Sequence, residues 1–335
     1  MNMTSIGDLA QSLMLRNRSQ EIKQSIATLT EELSTGQVSD VSSRVGGDYS
    51  YLSDMDRNLA LLGGFSISAA EASFFAEASQ NSLERLSDLA SSLNGTLLSL
   101  TPATLEPVRE NISLQVSAGI ETAISALNAT IGGRSLFGGT ATDRAPLASA
   151  DVMMNELQSL VSGLGSAAAV QAAVETWFDD PAGFDAIMYN GSDQTLAPMQ
   201  VGPGQQVEMT LKADDDTFRD LLQNMALAAL AGDPALAFDA GIQAELIREA
   251  GGALLSSQDA LTGLRADVGS AQARIEEAET RNASARTGLE YARGALLEAD
   301  PFETATRLEE AQFQLESLYT VTVRSSQLSL LNFLR

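Results

Sequence analysis

The chain has 335 residues and a formal net charge of −24, with 44 acidic residues set against only 20 basic ones and two lysines, Lys23 and Lys212. Length suggests two or three domains, and so acidic a balance excludes a basic face for nucleic acid or for anionic lipid headgroups. Cysteine and histidine are both absent, which removes disulfides, thiolate chemistry, the usual zinc sites, imidazole acid–base catalysis and Ser-His-Asp triads.

The first residues, Met1-Asn2-Met3-Thr4-Ser5-Ile6, lack the apolar core of a secretory signal peptide. No run of about 18 uninterrupted apolar residues occurs, so membrane insertion is not expected. A helix is predicted over residues 5–35. Ile6, Leu9 and Leu13 begin its apolar stripe, and Ile22, Ile26, Leu29 and Leu33 continue it, with Arg16-Asn17-Arg18 as a slip of register between them. Gly36 follows, the residue favoured just past a helix end. Residues 36–47, rich in Ser, Gly and Asp, read as a connecting loop.

A second long helix is predicted over residues 48–99, with Leu83, Leu86, Leu93 and Leu97 as its clearest stripe and Gly63-Gly64 as a place for a bend. Thr101-Pro102 ends it. A third helix opens near Pro107 and carries Val108, Ile112, Val116, Ile120, Leu127 and Ile131, closing at Gly132-Gly133.

Composition then shifts, and all eight prolines fall between Pro102 and Pro301. A short strand and turn is predicted over residues 135–140, then helices over 151–164 and 166–177. Residues 186–189 and 207–211 read as strands, Asn190-Gly191 as a turn, and residues 217–231 as a helix broken by Gly232-Asp233-Pro234. Residues 141–234 are therefore expected to form a small mixed α/β domain inserted between two helical arms.

The longest periodic stretch comes next. Leu254, Leu261, Val268, Ile275, Asn282, Leu289 and Leu296 recur every seven residues. Ser257, Leu264, Ala271, Ala278, Ala285, Ala292 and Ala299 recur three residues behind them. Alternating steps of three and four form the seam of a coiled coil, with the first series at a and the second at d. A proline-free run from 254 to 299 would be a rod of roughly 69 Å, which needs other helices along its length. Asn282 is the polar exception at a: it either fixes the register or turns outward to solvent. Asp300-Pro301 marks a kink or a fresh start. A last amphipathic pattern follows, with Leu308, Ala311, Leu315 and Leu318 in its seam and Leu328 and Leu331 near the chain end. Phe313, Tyr319, Val321 and Val323 lie off that seam, and a stripe so wide calls for neighbours on several sides.

The fold class expected from these patterns is mainly α: a long antiparallel helical coiled-coil rod built from both chain ends, with the inserted α/β domain. The division expected is a terminal helical assembly domain (residues 1–47 and 300–335), a helical rod domain (48–140 and 235–299) and the insert. The assembly interface is assigned to Ile6, Leu9, Leu13, Ile22, Ile26, Leu29, Leu33, Leu308, Leu315, Leu318, Leu328 and Leu331. The rod seam is assigned to Leu254, Leu261, Leu264, Val268, Ile275, Asn282, Leu289 and Leu296.

Nothing convergent points to catalysis, a cofactor or a metal. Asp214-Asp215-Asp216 precede the helix predicted from Thr217, where capping and compensation of the helix dipole explain them better than a cation site does. Asp179-Asp180 before Pro181 read as a solvated turn. Gly202-Pro203-Gly204 lacks the third glycine and the strand-to-helix setting of a phosphate loop, and no HExxH sequence occurs.

Several local sequences resemble the bacterial flagellin superfamily. Leu29-Thr30-Glu31-Glu32-Leu33-Ser34-Thr35-Gly36-Gln37 is similar to the turn that ends the first flagellin helix, and Leu86-Ser87-Asp88-Leu89-Ala90 to a stretch of the second. Ala299-Asp300-Pro301 with Glu303 and Thr304 resembles the start of the C-terminal helix, and Leu328-Ser329-Leu330-Leu331 its close. Within the superfamily, Phe137-Gly138-Gly139-Thr140, Pro146 and Tyr189-Asn190-Gly191-Ser192 look more like the proteins that join hook to filament than like flagellin itself. Residues 41–50 depart from the flagellin pattern that follows the first turn, and residues 213–218 lack the glycine of the junction pattern.

The resemblance implies a structural axial component of the flagellum, exported unfolded without a cleaved signal peptide to an extracellular address. Its partners would be hook-side junction protein, flagellin, copies of itself and an export chaperone. It also implies terminal helices that are poorly ordered alone and fold on assembly. A flagellin that polymerises into the filament is the alternative, and a cytoplasmic coiled-coil adaptor would explain the heptads but not the terminal motifs.

Overall fold

The computed structural model describes the backbone of residues 3–100 and 106–333, and the side chains of residues 10–100 and 107–324. In chain order the elements are α1 (Met3–Thr35), α2 (Val41–Arg44), α3 (Ser50–Leu98), α4 (Glu106–Leu127), β1 (Thr130–Ile131), β2 (Arg134–Ser135), α5 (Ala150–Val161), α6 (Ala167–Asp179), a π-helical turn (Pro181–Asp185), β3 (Met199–Gly202), β4 (Gln205–Val207), α7 (Asp216–Ala231), α8 (Ala240–Leu297) and α9 (Pro301–Phe333). The architecture is mainly helical with a few short strands in the middle, as the periodicities predict. The chain divides into two compact units: residues 1–62 with 284–335, and residues 63–283.

In the second unit the apolar stripe of α3 (Ala69, Ala76, Leu83, Leu86, Leu93, Leu97) joins one buried core with Val116, Ile120 and Leu127 of α4, and Leu254, Leu261, Val268 and Ile275 of α8. α3 and α8 run antiparallel there. The Gln80 amide donates to the Arg265 carbonyl at 2.7 Å, and the Cα of Gly251 lets α8 close on Leu97 and Leu98. The small d residues Ala271 and Ala278 are buried, as the close approach of a partner helix requires. Gly119 serves the same end on α4, where an added Cβ would lie 3.2 Å from Met225 and 3.3 Å from Leu89 and Leu93.

The inserted segment packs α5, α6 and α7 around a second focus of the same core. Phe178 and Phe184 stack at 5.3 Å, Trp177 meets Phe178 edge-on at 5.0 Å, and Phe137 meets Phe218 at 5.7 Å. Asp180 caps the π-helical turn by accepting from Ala182 N at 2.8 Å. Asp215 stands at the N-cap of α7, but its carboxylate accepts from Lys212 N at 2.8 Å and makes no cap bond to the helix. Asp214 pairs with Lys212 at 2.9 Å, and Asp216 pairs with Arg219.

Several sequence expectations need correction. Ile131 is not helical: α4 stops at Leu127, the Asn128 side chain exchanges hydrogen bonds with the Leu147 backbone, and Ile131 pairs with Arg134. Gly132 and Gly133, both at positive φ, make the two-residue turn that such a hairpin favours. Residues 186–189 are not a strand, because Phe184 O accepts from both Met188 N and Tyr189 N and closes a helical turn; Tyr189 keeps an isolated bridge to Leu147. The strand at 207–211 is instead Gln205–Val207, paired with the unforeseen β3 across Gly202-Pro203-Gly204. Met199 faces Val207, so the next partner would be Pro198, which has no N–H to extend the ladder. The loop at 36–47 contains α2, capped by Asp40 accepting from Ser43 N at 3.0 Å. An 18-residue window of α3 has a mean hydropathy of 1.5, long and apolar enough by composition to cross a membrane, which a count of uninterrupted runs does not register.

Candidate assembly surface

In the first unit α1 and α9 form a helical pair. Ile22 and Ala311 are buried between them, and Ile26, Leu29, Leu308, Leu315 and Leu318 are half-covered. Ser19 and Lys23 add a polar contact. The Lys23 ammonium lies 5.8 Å from the Tyr319 ring centroid, and its hydrogen bond to the hydroxyl, with a smaller share from its charge and from Ser19, holds Tyr319 below the usual tyrosine range.

Two helices cannot cover the whole stripe. Leu13 is 58% exposed, Phe313 71% and Phe302 83%, and Met14, Leu33, Tyr319, Val321 and Val323 are exposed as well. Each large apolar side chain fully withdrawn from water is worth about 1.5–3 kcal/mol, so this face is a standing driving force for association. The side chains of Ile6, Leu9, Leu328 and Leu331, assigned to the same surface from sequence, lie outside the described residues.

Charge follows the same division. Residues 1–47 and 300–335 together hold ten acidic and seven basic residues, whereas residues 141–234 hold fourteen acidic and three basic. Like-charge repulsion is therefore weaker along residues 1–47 and 300–335 than over residues 141–234, which carry much of the negative charge. In that segment burial raises the Asp215 and Asp220 carboxyls above the usual aspartate range, with neighbouring carboxylates (Asp214 for the first, Asp216 for the second) adding to it. Burial and the facing Asp214 push the Tyr189 hydroxyl up in the same way.

The rod seam is placed unevenly. Leu254, Leu261, Val268 and Ile275 are buried and Leu264 is half-buried in the second unit. Leu289 and Leu296 are half-buried in the first, where Arg293 of α8 pairs with Asp56 of α3 at 2.8 Å. Asn282 is neither turned to solvent nor an unpaired break in the seam. It is 5% exposed, and its Nδ2 donates to the carbonyl of Val201 on β3 at 2.7 Å. Beside it, Gln205 of β4 accepts from both terminal nitrogens of Arg281 at 3.1 and 2.7 Å with its amide carbonyl facing the guanidinium. Arg281 and Asn282 thus hold the β3–β4 hairpin against α8. Sequence reading flagged Asn282 by its position but missed Arg281, whose partner is 76 positions away and carries no pattern.

A second set of contacts missed from sequence joins the two crossovers of the first unit. Val38 N donates to Leu297 O and Ala299 N to Gly36 O, both at 2.9 Å, with Gln37 opposite Glu298. The Arg44 guanidinium donates to Leu296 O at 3.0 Å. Helix C-termini leave carbonyls unpaired, and here the N-terminal crossover supplies donors to the last turn of α8.

Paired terminal helices with an uncovered apolar stripe, an antiparallel α3–α8 seam in the second unit and a few short strands make a mainly helical protein with an apolar surface suited to association. Residues 254–334 match the bacterial flagellin C-terminal helical region, a span that runs from Leu254 within α8 through α9. The chain resembles a Vibrio parahaemolyticus protein assigned to the flagellar hook-associated class, with a TM-score of 0.53 at 12% identity over 73% of this chain and 95% of that one. It also resembles FlgL of Bacillus cereus, with a TM-score of 0.51 at 13% identity over 72% of this chain and all of that one, 100%. At such identities the likeness is one of fold. No curated protein matches the chain by sequence.

Proposed function

We propose that this protein is the axial subunit that joins hook to filament in a bacterial flagellum. Residues 1–47 and 300–335 would act as its assembly domain, packing among the corresponding helices of hook-side and filament-side neighbours and of its own copies. The rod helices would transmit torque, and the insert would project as an acidic, soluble surface. Export in an unfolded state, assisted by a chaperone that covers the terminal stripes, accords with an extracellular address.

The observation that carries this reading is the α1–α9 pair, whose apolar residues Leu13, Phe302 and Phe313 remain open to water although α2, the start of α3 and the end of α8 belong to the same unit. The family match over residues 254–334 supplies the flagellar setting, and the likeness in fold to hook-associated proteins favours the junction over the filament.

Deleting the gene in the source bacterium tests it. The expected outcome is intact hooks without filaments and flagellin released into the medium. Normal filaments on those hooks would contradict the junction role, and polymerisation of the purified protein on seeds of itself would assign it to the filament instead.

A further inference from the structure

Both long helices that end in the first unit change direction at short crossovers: residues 36–49 after α1, and residues 298–300 before α9. The two crossovers are bonded to each other rather than left to solvent. Val38 N to Leu297 O and Ala299 N to Gly36 O bracket the pair Gln37 and Glu298, the arrangement of a two-bond antiparallel ladder. Arg44 adds its guanidinium to Leu296 O, so two successive carbonyls at the end of α8 are satisfied from the other end of the chain.

Each side of this contact is prepared locally. Gly36, at φ +69°, ends α1 with its N–H on Glu32 O at 2.8 Å, and the Glu32 carboxylate accepts from Ser39 N at 2.8 Å, which ties residues 36–39 back to the end of α1. Across from it, Asp300 accepts from Phe302 N at 2.9 Å and Glu303 N at 3.1 Å, so α9 starts at a fixed point just after Ala299. Only glycine takes the left-handed conformation at position 36 without strain, and Pro301 suits a first helical turn.

We propose that this ladder is a latch between the two arms: closing it sets the start of α9 relative to the end of α1, so that the terminal helices become ordered together and enter an assembly as one piece. Without the latch, the last turn of α8 loses its donors and α9 can pivot about residues 298–300. The inference concerns the chain's own folding and goes beyond the flagellar role, which could fail while the latch stands.

The geometry supplies its own probe. In an antiparallel ladder the residues bracketed by hydrogen bonds, here 37 and 298, have Cα atoms about 4.5 Å apart, within the range that a disulfide spans. The chain has no cysteine to compete. The full-length variant Gln37→Cys/Glu298→Cys should form an intramolecular disulfide on mild oxidation, about ten-fold faster than the non-facing pair Gln37→Cys/Glu316→Cys. Val38→Pro, which removes the donor to Leu297 O, and the milder Arg44→Ala should each slow that closure.

Limited trypsin digestion reads the consequence. Cleavage after Arg18, Lys23, Arg307 and Arg324, all on the arms, should slow several-fold in the oxidised form relative to the reduced form of the same variant. Closure no faster than in the non-facing pair would overturn the latch. Equal cleavage of the arms in oxidised and reduced protein would overturn its ordering role.

Discussion

Replacing Asn282 with Leu separates two accounts of the long seam. If Asn282 were only a polar break in the a series, leucine would complete the series and stabilise the protein by about 1.5–3 kcal/mol, the value of burying such a side chain. The structure predicts the opposite sign. Val201, 1% exposed, would lose the donor to its carbonyl, at a cost of about 1–3 kcal/mol for a buried acceptor left unmade. The apolar gain is not realised in full either, since the side chain at this position faces the Val201 carbonyl rather than an apolar partner. The net expectation is a loss of about 1–3 kcal/mol. Urea titration of the full chain, followed by the fluorescence of its single tryptophan, Trp177, measures it, because Trp177 lies buried in the same unit as the hairpin. Asn282→Leu should lower the midpoint, and Asn282→Ala should lower it further. A raised midpoint for the leucine variant would refute the assignment of Asn282 to the hairpin.

Other perturbations have equally definite expectations. Leu315→Asp places a charge on the half-covered seam of α9 and should abolish incorporation into flagella while the Trp177 unfolding transition stays in place; loss of that transition would contradict separate roles for the two units. Gly139→Ala should cost about 3 kcal/mol or more, because the residue sits at φ +58° and its new Cβ would lie 2.4 Å from Gln194 O; a near-neutral unfolding midpoint would show that the turn can rearrange. Asp220→Asn should stabilise the protein at neutral pH. Its carboxyl is raised in the fold by burial and by Asp216, so the unfolded chain ionises first as pH rises; stability is full below the ordinary value of 3.8 and falls until the folded carboxyl ionises. The gain from asparagine should therefore vanish in urea titrations below that pH, and a gain that persists there would point to another cause.

The parts legible in the sequence are those whose signal repeats along one helix. Leu254, Leu261, Val268 and Ile275 announce a buried face because each is seven residues from the next, and all four are buried. The arms were legible for the same reason, and their excess of apolar residues over seam positions announced the uncovered face that Phe313 and Val323 display. The features that did not show depend on a partner far off in the chain. β3 is four residues long and gains its identity only from pairing with Gln205–Val207, while the donors that made residues 186–189 helical depend on one carbonyl, Phe184 O. Asn282 stood out at its heptad position, yet its acceptor lies 81 residues earlier. The ladder at Val38 and Ala299 is made of main-chain groups, which every residue but proline offers, so no side-chain pattern could mark it.

The most direct measurement is the position of the protein on intact flagella, by gold-labelled antibody against the inserted segment, residues 141–234, in electron micrographs. A band confined to the boundary between hook and filament is the predicted result. Label running along the whole filament, or none on the flagellum, would contradict the account.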